Sequence, residues 1–281
     1  MNEQIDKKSS PIAILGMHRS GTSCLAGSLQ EAGIYLGDVV TSAAHNQKGN
    51  RENLSLCSLN DDVLGYSGGA WNEPPASCQW TREHQVQRDS LMKSFQESTR
   101  RWGFKDPRTL GTLTFWQDST TPFQWVGTYR HPLCVAKSLI KRQPNFSMTE
   151  ALNLWRDYNE RLLALYEKEA FPLVNFSVTT EDYIAQLKKV FEELDINVGS
   201  NMFTPRFFDE TLRHHSVKEK DSASVPDEYM EVYYKLEQCR RATVVDTPSK
   251  PTLSVIVNVY NMQREAPRTL VRPRLWYQCL S

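Results

Sequence analysis

The chain has 281 residues, and its 33 Lys+Arg balance 33 Asp+Glu, giving a formal net charge of zero. This balance argues against a general nucleic-acid or anionic-membrane binder, since both need a basic surplus. The six cysteines are scattered without a CxxC pair, which argues against a metal or redox cluster and favours a reducing compartment. The polar N-terminus and the absence of any run of about 18 apolar residues predict a cytoplasmic protein without a membrane span.

Four segments are predicted along the chain. Residues 1–10 are polar and predicted to be disordered, whereas residues 11–242 carry the apolar pattern of one main domain. Residues 243–251 (TVVDTPSKP) have the composition of a linker. Residues 252–281 begin with a new apolar strand that the remaining sequence is too short to complete as a domain.

Strands and helices alternate in the main domain. The apolar run Pro11–Leu15 is typical of a strand buried on both faces of a parallel sheet, and a glycine-bearing loop and a helix ending at Gly33 follow it. Phe123–Tyr129 and Leu173–Val178 predict two further strands. Helices are predicted near 84–100, after residue 131, over 149–168 and from Ile184 to Leu194, while the rest of 37–100 is interpreted as loop. The pattern predicts an α/β fold, a P-loop-type parallel sheet flanked by helices on both faces in three layers, α/β/α.

The first predicted strand leads into a phosphate-binding loop. Gly16–Ser23 (GMHRSGTS) has the glycine spacing of the P-loop GxxxxGK[ST], but Thr22 stands at the lysine position. Successive backbone N–H groups and the start of a helix make such a loop an anion cradle. The missing lysine argues against Mg²⁺-dependent ATP chemistry, and the cation lies instead within the loop, at Arg19.

These loop residues resemble a motif of the sulfotransferase superfamily. Arg19, Ser20, Gly21, Thr22 and Ser23 match, position by position, the 5′-phosphosulfate loop [KR]-[ST]-G-[ST]-[ST] that follows a strand and opens a helix. The resemblance implies that the cofactor is 3′-phosphoadenosine 5′-phosphosulfate (PAPS). It assigns Arg19 to the oxygen between phosphate and sulfate, and the next four residues to the 5′-phosphate.

A second anion motif follows the predicted strand Phe123–Tyr129. Arg130 at the end of the strand, a proline turn, and Ser138 eight residues after the arginine resemble the 3′-phosphate signature of the same superfamily. His131 stands where aspartate or asparagine is commoner. The glycine-and-lysine loop of the cytosolic members has no match here, so the resemblance is to the Golgi-type and bacterial branches.

Two further stretches resemble catalytic motifs. Gly103–Arg108 (GFKDPR) is similar to the Lys-Asp-Pro motif of tyrosylprotein sulfotransferases, which implies that Lys105 stabilises the transition state and that Arg108 contacts the acceptor. Asn46–Glu52 resembles the loop that bears the catalytic glutamate in Golgi-type and bacterial relatives. Glu52 is therefore the predicted general base, with Lys48 assisting. The rival bases are three histidines, His18, His45 and His131.

Two other sequence patterns say less about the function. The histidine pair in Leu212–His215 has no third ligand at a typical interval, so no metal site is predicted. Leu253–Asn261 resembles the opening strand of a family-two, GT-A type glycosyltransferase, and the alternative is an extra edge strand of the main domain. The resemblance hints at a sugar as the acceptor.

The sequence thus predicts an enzyme that transfers the sulfuryl group of PAPS to a hydroxyl, of a carbohydrate or glycoconjugate, and releases adenosine 3′,5′-bisphosphate. It needs no metal, and neither a nucleic acid nor a membrane is a predicted partner. Two alternatives stay open, an atypical P-loop ATP-dependent phosphotransferase and a non-catalytic nucleotide-binding module.

Overall fold

The computed structural model describes residues 10–42, 49–198, 207 and 225–242. Its centre is a sheet of four parallel strands in the order β2-β1-β3-β4. The strands are β1 Ile12–Leu15, β2 Gly103–Lys105, β3 Gln124–Tyr129 and β4 Leu173–Asn175. Because the chain passes from β1 to β2 on one side and then returns to β3 on the other, the carboxyl end of β1 is a topological switch point, the usual ligand-binding crevice of open α/β sheets.

The helices follow the strands in chain order. They are α1 Thr22–Glu31, α2 Leu54–Tyr66, α3 Arg82–Gln96, a 3₁₀-helix Pro107–Leu110, α4 Leu113–Gln117, α5 Pro132–Arg142, α6 Met148–Lys168, α7 Thr180–Glu193 and α8 Asp227–Arg241. Among the described residues, none of these helices combines the length and apolarity that a bilayer crossing requires.

Both faces of the sheet are covered, as the apolar run of β1 predicts. Ile12 and Ile14 point into a core shared with α1 and α7, whereas Ala13 and Leu15 point into a second core on the opposite face. The second core is built mainly by α2, α5, α6 and α8. Side chains of a strand alternate between faces, so a strand that is apolar at every position is stable only between two layers. The predicted three-layer α/β fold is confirmed.

The interpretation of residues 37–100 as mostly loop is wrong over α2. Asn53 caps this helix by accepting a hydrogen bond from the Leu56 amide at 3.1 Å, and apolar side chains follow at helical spacing. The surrounding polar sequence concealed this short amphipathic pattern. Strand β2 was also not predicted, because three residues are too few to show a period.

Several predicted segments lie outside the described residues. They are most of the N-terminal tail 1–10, the linker 243–251, the segment 252–281 and the histidine pair of 212–215. The predictions for these segments remain predictions.

Candidate active site

The loop after β1 is fixed by backbone geometry that few sequences permit. Gly16 has φ of 145°, and a Cβ there would lie 2.4 Å from the carbonyl oxygen of Thr128 on β3. The hydroxyl of Thr128 donates to the carbonyl oxygen of Ser20 at 3.0 Å. Arg19 itself has a left-handed φ of 68°. The loop therefore packs against the end of the neighbouring strand, and Arg19 adopts a left-handed backbone conformation that is uncommon for a residue other than glycine.

Helix α1 begins at Thr22, and no side chain among the described residues caps its N-terminus. The N-cap is Gly21 with φ of 87°, and a Cβ there would lie 2.3 Å from the ring of Phe176, which follows β4. The first N–H groups of a helix have no intrahelical partner, and a glycine cap supplies no oxygen to them. This helix end is therefore open to an anion.

Arg130 follows β3 directly, and two neighbours fix it. Its carbonyl oxygen accepts a hydrogen bond from Nε1 of Trp155 on α6 at 2.9 Å, and its guanidinium carbon lies 5.5 Å from the centroid of the Phe176 ring. The exposed fraction of Arg130 is only 7%. A guanidinium this buried is held in a defined place at the carboxyl edge of the sheet.

His131 acts as the N-cap of α5. Its Nδ1 accepts a hydrogen bond from the Leu133 amide at 3.3 Å, and its own amide donates to Oγ of Ser177 at 2.8 Å. Burial, and then the charge of Arg130, lower the pKa of His131 to about 4. The imidazole is therefore neutral near pH 7 and does what aspartate or asparagine does at an N-cap, which explains the departure from the commoner motif.

The two predicted anion motifs meet. Nε of Arg19 donates to Oγ of Ser138 on α5 at 2.8 Å, across 119 residues of sequence. Nη1 of Arg130 donates to the carbonyl oxygen of Arg19 at 3.4 Å. A hydroxyl that accepts one hydrogen bond still has its own proton to donate, so Ser138 can serve Arg19 and an anion together. We call Arg19–Ser23 with Arg130 and Ser138 the anion cradle.

The anion cradle has the electrostatics of a site for negative charge. Burial, and then the positive charges of Arg142 and Arg130, lower the pKa of Arg19. Oγ of Ser20 is buried, and it has no hydrogen-bond partner in the part of the chain that the structure describes. Crowded cations and an unpaired buried hydroxyl are both costly without a ligand. The residues thus fit a phosphate-bearing molecule.

Lys105 brings a further positive charge beside the loop. It ends β2, is 3% exposed, and donates from Nζ to Oε1 of Glu52 at 2.6 Å, to the carbonyl oxygen of Asn50 at 3.0 Å and to Oγ of Ser23 at 3.4 Å. The loop that carries Glu52 is fixed by two backbone hydrogen bonds with Val40. The predicted base and the predicted transition-state cation are therefore one ion pair.

Arg108 lies near this pair and is bound to two carboxylates. Its Nη1 donates to Oδ1 of Asp106 at 3.0 Å, and its Nε donates to Oδ1 of Asp61 at 2.6 Å. Burial opposes its charge, but Asp106 and Asp61 outweigh burial and raise the pKa of Arg108. The role of Arg108 in acceptor binding remains a prediction, and Lys48 and His45 lie outside the described residues.

His18 occupies the loop position before Arg19 and lies among aromatic rings. Its ring centroid is 4.8 Å from that of Trp71 and 6.0 Å from that of Tyr158. Its Nε2 is buried without a hydrogen-bond partner among the described residues. Burial, followed by four cationic side chains, lowers the pKa of His18 well below 6.5. The sequence offered no means of ranking it above the other two histidines.

Sequence reasoning missed Asn60, a buried polar residue on α2. Its Nδ2 donates to Oδ2 of Asp106 at 2.9 Å, while its Oδ1 accepts from Thr112 at 2.7 Å and from the indole of Trp116 at 2.8 Å. It holds the aspartate that follows Lys105. An asparagine within an apolar helical face was the available signal, hidden by the interpretation as loop.

A metal site finds no support among the described residues. Within residues 10–42, 49–198, 207 and 225–242, no three His, Cys, Asp or Glu side chains come together to hold an ion.

Comparisons with known proteins find similarity only at the level of structure. No protein-family model matches the chain, and no curated protein matches it in sequence. A sulfotransferase domain from the curacin biosynthetic pathway is 12% identical with a TM-score of 0.49, over 81% of this chain and 97% of that one. A sulfotransferase domain from the Synechococcus PCC 7002 olefin synthase is 15% identical with a TM-score of 0.44, over 85% and 90%.

The sulfotransferase STF1 from Mycobacterium tuberculosis H37Rv is also 15% identical, with a TM-score of 0.46, over 82% of this chain and 77% of that one. At such identities and TM-scores the likeness by itself carries no conclusion about activity. The function therefore has to be argued from the residues of this chain.

Proposed function

We propose that this protein is a sulfotransferase, which moves the sulfuryl group of PAPS to a hydroxyl acceptor and releases adenosine 3′,5′-bisphosphate. The observation that carries the proposal is the contact between Arg19 and Ser138, because it joins the loop after β1 to the helix after β3. A single ligand with negative charge at two separate positions needs two anion sites within one crevice. Arg130, bound to the Arg19 carbonyl, completes the second site.

The residues of the anion cradle support this ligand over ATP. Thr22 supplies no charge at the position where a P-loop lysine would reach the β- and γ-phosphates. Instead, the cationic groups are Arg19 within the loop and Arg130 beyond the adjacent strand, a division that suits a phosphosulfate at one end and a 3′-phosphate at the other. The nucleotide would supply the activated sulfuryl group.

Positive charge close to the loop suits the chemistry of the transfer. Lys105, in contact with Ser23, is placed to offset the charge that develops on the leaving phosphate, and Arg19 shares this role. The acceptor hydroxyl must also lose a proton. Glu52 and His18 are candidates for receiving it, whereas Nδ1 of His131 already accepts a hydrogen bond from the Leu133 amide. A carbohydrate as acceptor is part of the proposal and is supported only by the resemblance of Leu253–Asn261 to a glycosyltransferase strand.

Ligand-dependent thermal stability tests the proposal. Adenosine 3′,5′-bisphosphate should raise the melting temperature more than ATP with Mg²⁺ does, because a ligand that binds only the folded state stabilises it by mass action. Arg130→Ala should lower affinity for the bisphosphate about 10- to 100-fold, the effect of one lost charged hydrogen-bonding group. The same substitution should have a small effect on the affinity for adenosine 5′-monophosphate, which lacks the 3′-phosphate.

Arg82→Ala serves as the matched control, because Arg82 is an exposed arginine at the start of α3. It should leave binding of both nucleotides unchanged. Transfer of ³⁵S from labelled PAPS to p-nitrophenol and to a panel of unsulfated oligosaccharides then tests the reaction. Equal stabilisation by ATP and the bisphosphate would contradict the proposal, and bisphosphate binding without transfer to any acceptor would indicate a non-catalytic module.

A further inference from the structure

The anion cradle leaves one part of the proposed reaction unassigned, the group that takes the proton of the acceptor hydroxyl. Glu52 is already engaged, since its Oε1 accepts the 2.6 Å hydrogen bond from Nζ of Lys105. Protonation of Glu52 would remove the negative partner that holds Lys105 beside Ser23. The geometry thus gives Glu52 a positioning role toward Lys105.

His18 has the opposite property, a buried ring nitrogen for which the described residues supply no hydrogen-bond partner. Its Nε2 makes no hydrogen bond within the described residues, although buried polar atoms are nearly always paired. The rings of Trp71 and Tyr158 pack close to the imidazole, with centroids 4.8 and 6.0 Å away, and restrict its orientation. An imidazole held in this way has a nitrogen that the described residues leave available for a ligand.

We propose that Nε2 of His18 binds the acceptor hydroxyl and takes its proton, while Glu52 keeps Lys105 in place. The inference rests on the proposed function. In the step, the hydroxyl oxygen forms a bond to sulfur as the bond from sulfur to the bridging oxygen breaks. The bridging oxygen keeps the electron pair and leaves with adenosine 3′,5′-bisphosphate, and the proton passes to Nε2 of His18. This requires the tautomer with hydrogen on Nδ1.

Four cationic side chains act on His18, and they explain when its imidazole becomes basic. The cations are Arg108 after β2, Lys105 on β2, Arg142 on α5 and Arg19 in the loop, and the uncharged neighbours are Trp71 and Tyr158. Burial first, and then these cations, keep the pKa of His18 low, so the imidazole is neutral in the free protein. Negative charge bound in the anion cradle would offset the cations and raise that pKa.

Histidine NMR provides a readout that does not depend on activity. The ¹H–¹⁵N imidazole signals of the full chain are titrated with pH, with and without saturating adenosine 3′,5′-bisphosphate, and His18 is assigned by its absence from His18→Gln. Without ligand, Nε2 should show the shift of an unprotonated nitrogen at pH 7. With ligand, the pKa of His18 should rise by on the order of one unit or more. The signal of His84, on α3, is the internal reference.

Turnover with labelled PAPS and p-nitrophenol, or the best acceptor of the panel, gives the second readout. His18→Gln should lower kcat by ~10²–10⁴-fold, the usual contribution of a general base, while the bisphosphate still raises the melting temperature as in the wild type. Glu52→Gln should lower kcat less than His18→Gln does. His84→Gln is the control, because glutamine also suits the N3 position of the capping box that His84 occupies on α3.

The outcomes separate this inference from the proposed function. If the wild type binds no bisphosphate or transfers to no acceptor, the proposed function fails. If the wild type binds and transfers, but the pKa of His18 does not move or His18→Gln retains kcat within threefold, only the role of His18 fails. A loss in His18→Gln that tracks weaker bisphosphate binding would equally overturn it, since it would indicate a structural role.

Discussion

Nε of Arg19, in the loop after β1, donates a 2.8 Å hydrogen bond to Oγ of Ser138 on α5. The two residues lie 119 positions apart in sequence, Arg19 in the loop after β1 and Ser138 on the helix after β3, and these two strands are adjacent. The contact makes the two proposed phosphate sites interdependent, because Ser138 of the second motif orients the Arg19 side chain and Arg130 donates to the Arg19 carbonyl oxygen.

Arg19 and Ser138 should therefore be energetically coupled in ligand binding. Arg19→Ala and Ser138→Ala should each weaken binding of adenosine 3′,5′-bisphosphate, and the double variant should lose less than the sum of the two. The expected coupling free energy is about 0.5–3 kcal/mol, as for residues in direct contact. Isothermal titration calorimetry on the four proteins measures it. Strict additivity would mean that the contact does not influence the bound state.

Gly21→Ala should destabilise the protein and abolish the thermal shift with the bisphosphate. The substitution combines a positive φ of 87° with a Cβ 2.3 Å from the Phe176 ring. Gly33→Ala is the matched control, since φ is 99° there but no atom of another described residue lies within 4 Å of the added Cβ. Strain alone costs about 1–2 kcal/mol, and overpacking adds about 1–3 kcal/mol at Gly21. Urea unfolding measures the loss of stability in both variants. Equal losses in the two variants would contradict the close packing of the loop on Phe176.

His131 should make the folded state less stable at acidic pH. Its folded pKa of about 4 lies below the ordinary value of 6.5, so its contribution is present above pH 6.5 and is lost as the pH falls through that value toward 4. As the pH falls, the imidazole of His131 is protonated in the unfolded chain before it is protonated in the folded protein. Between pH 7.5 and pH 5 the loss is about 2 kcal/mol.

His131→Asn isolates this effect, because asparagine is also a good N-cap and does not titrate. Urea unfolding of both proteins at the two pH values gives the comparison. The wild type should lose about 2 kcal/mol more than the variant on acidification. The same loss in both proteins would show that other groups carry the pH dependence.

Lys105 and Glu52 should be coupled in stability as well as in turnover. Lys105→Ala leaves the carboxylate of Glu52, whose side chain is 16% exposed, without its cation, and Glu52→Gln leaves the buried ammonium of Lys105 without a counter-charge. Each single variant should lose more than half of the stability that the double variant loses. The expected coupling free energy is on the order of 1–3 kcal/mol. A double-mutant cycle by urea unfolding tests this, and a coupling near zero would indicate that the pair is absent in solution.

The sequence by itself determined the parallel α/β fold and the two anion motifs. A strand apolar at every position, from Pro11 to Leu15, has to be covered on both faces, and the glycines and hydroxyls of Gly16–Ser23 specify a backbone cradle locally. Strand β2 is too short to show a period, and the helical pattern of α2 was concealed by the polar sequence around it, so both were missed.

Only the tertiary structure decided which side chains act on one another. The contact of Arg19 with Ser138, the pairing of Lys105 with Glu52 and the cations around His18 depend on strand order, which places chain segments far apart in sequence at one edge of the sheet. The charge, burial and hydrogen-bond partners of a side chain depend on distances that no local sequence pattern encodes. For this reason the sequence could name His18 as a candidate base but could not distinguish it from His131.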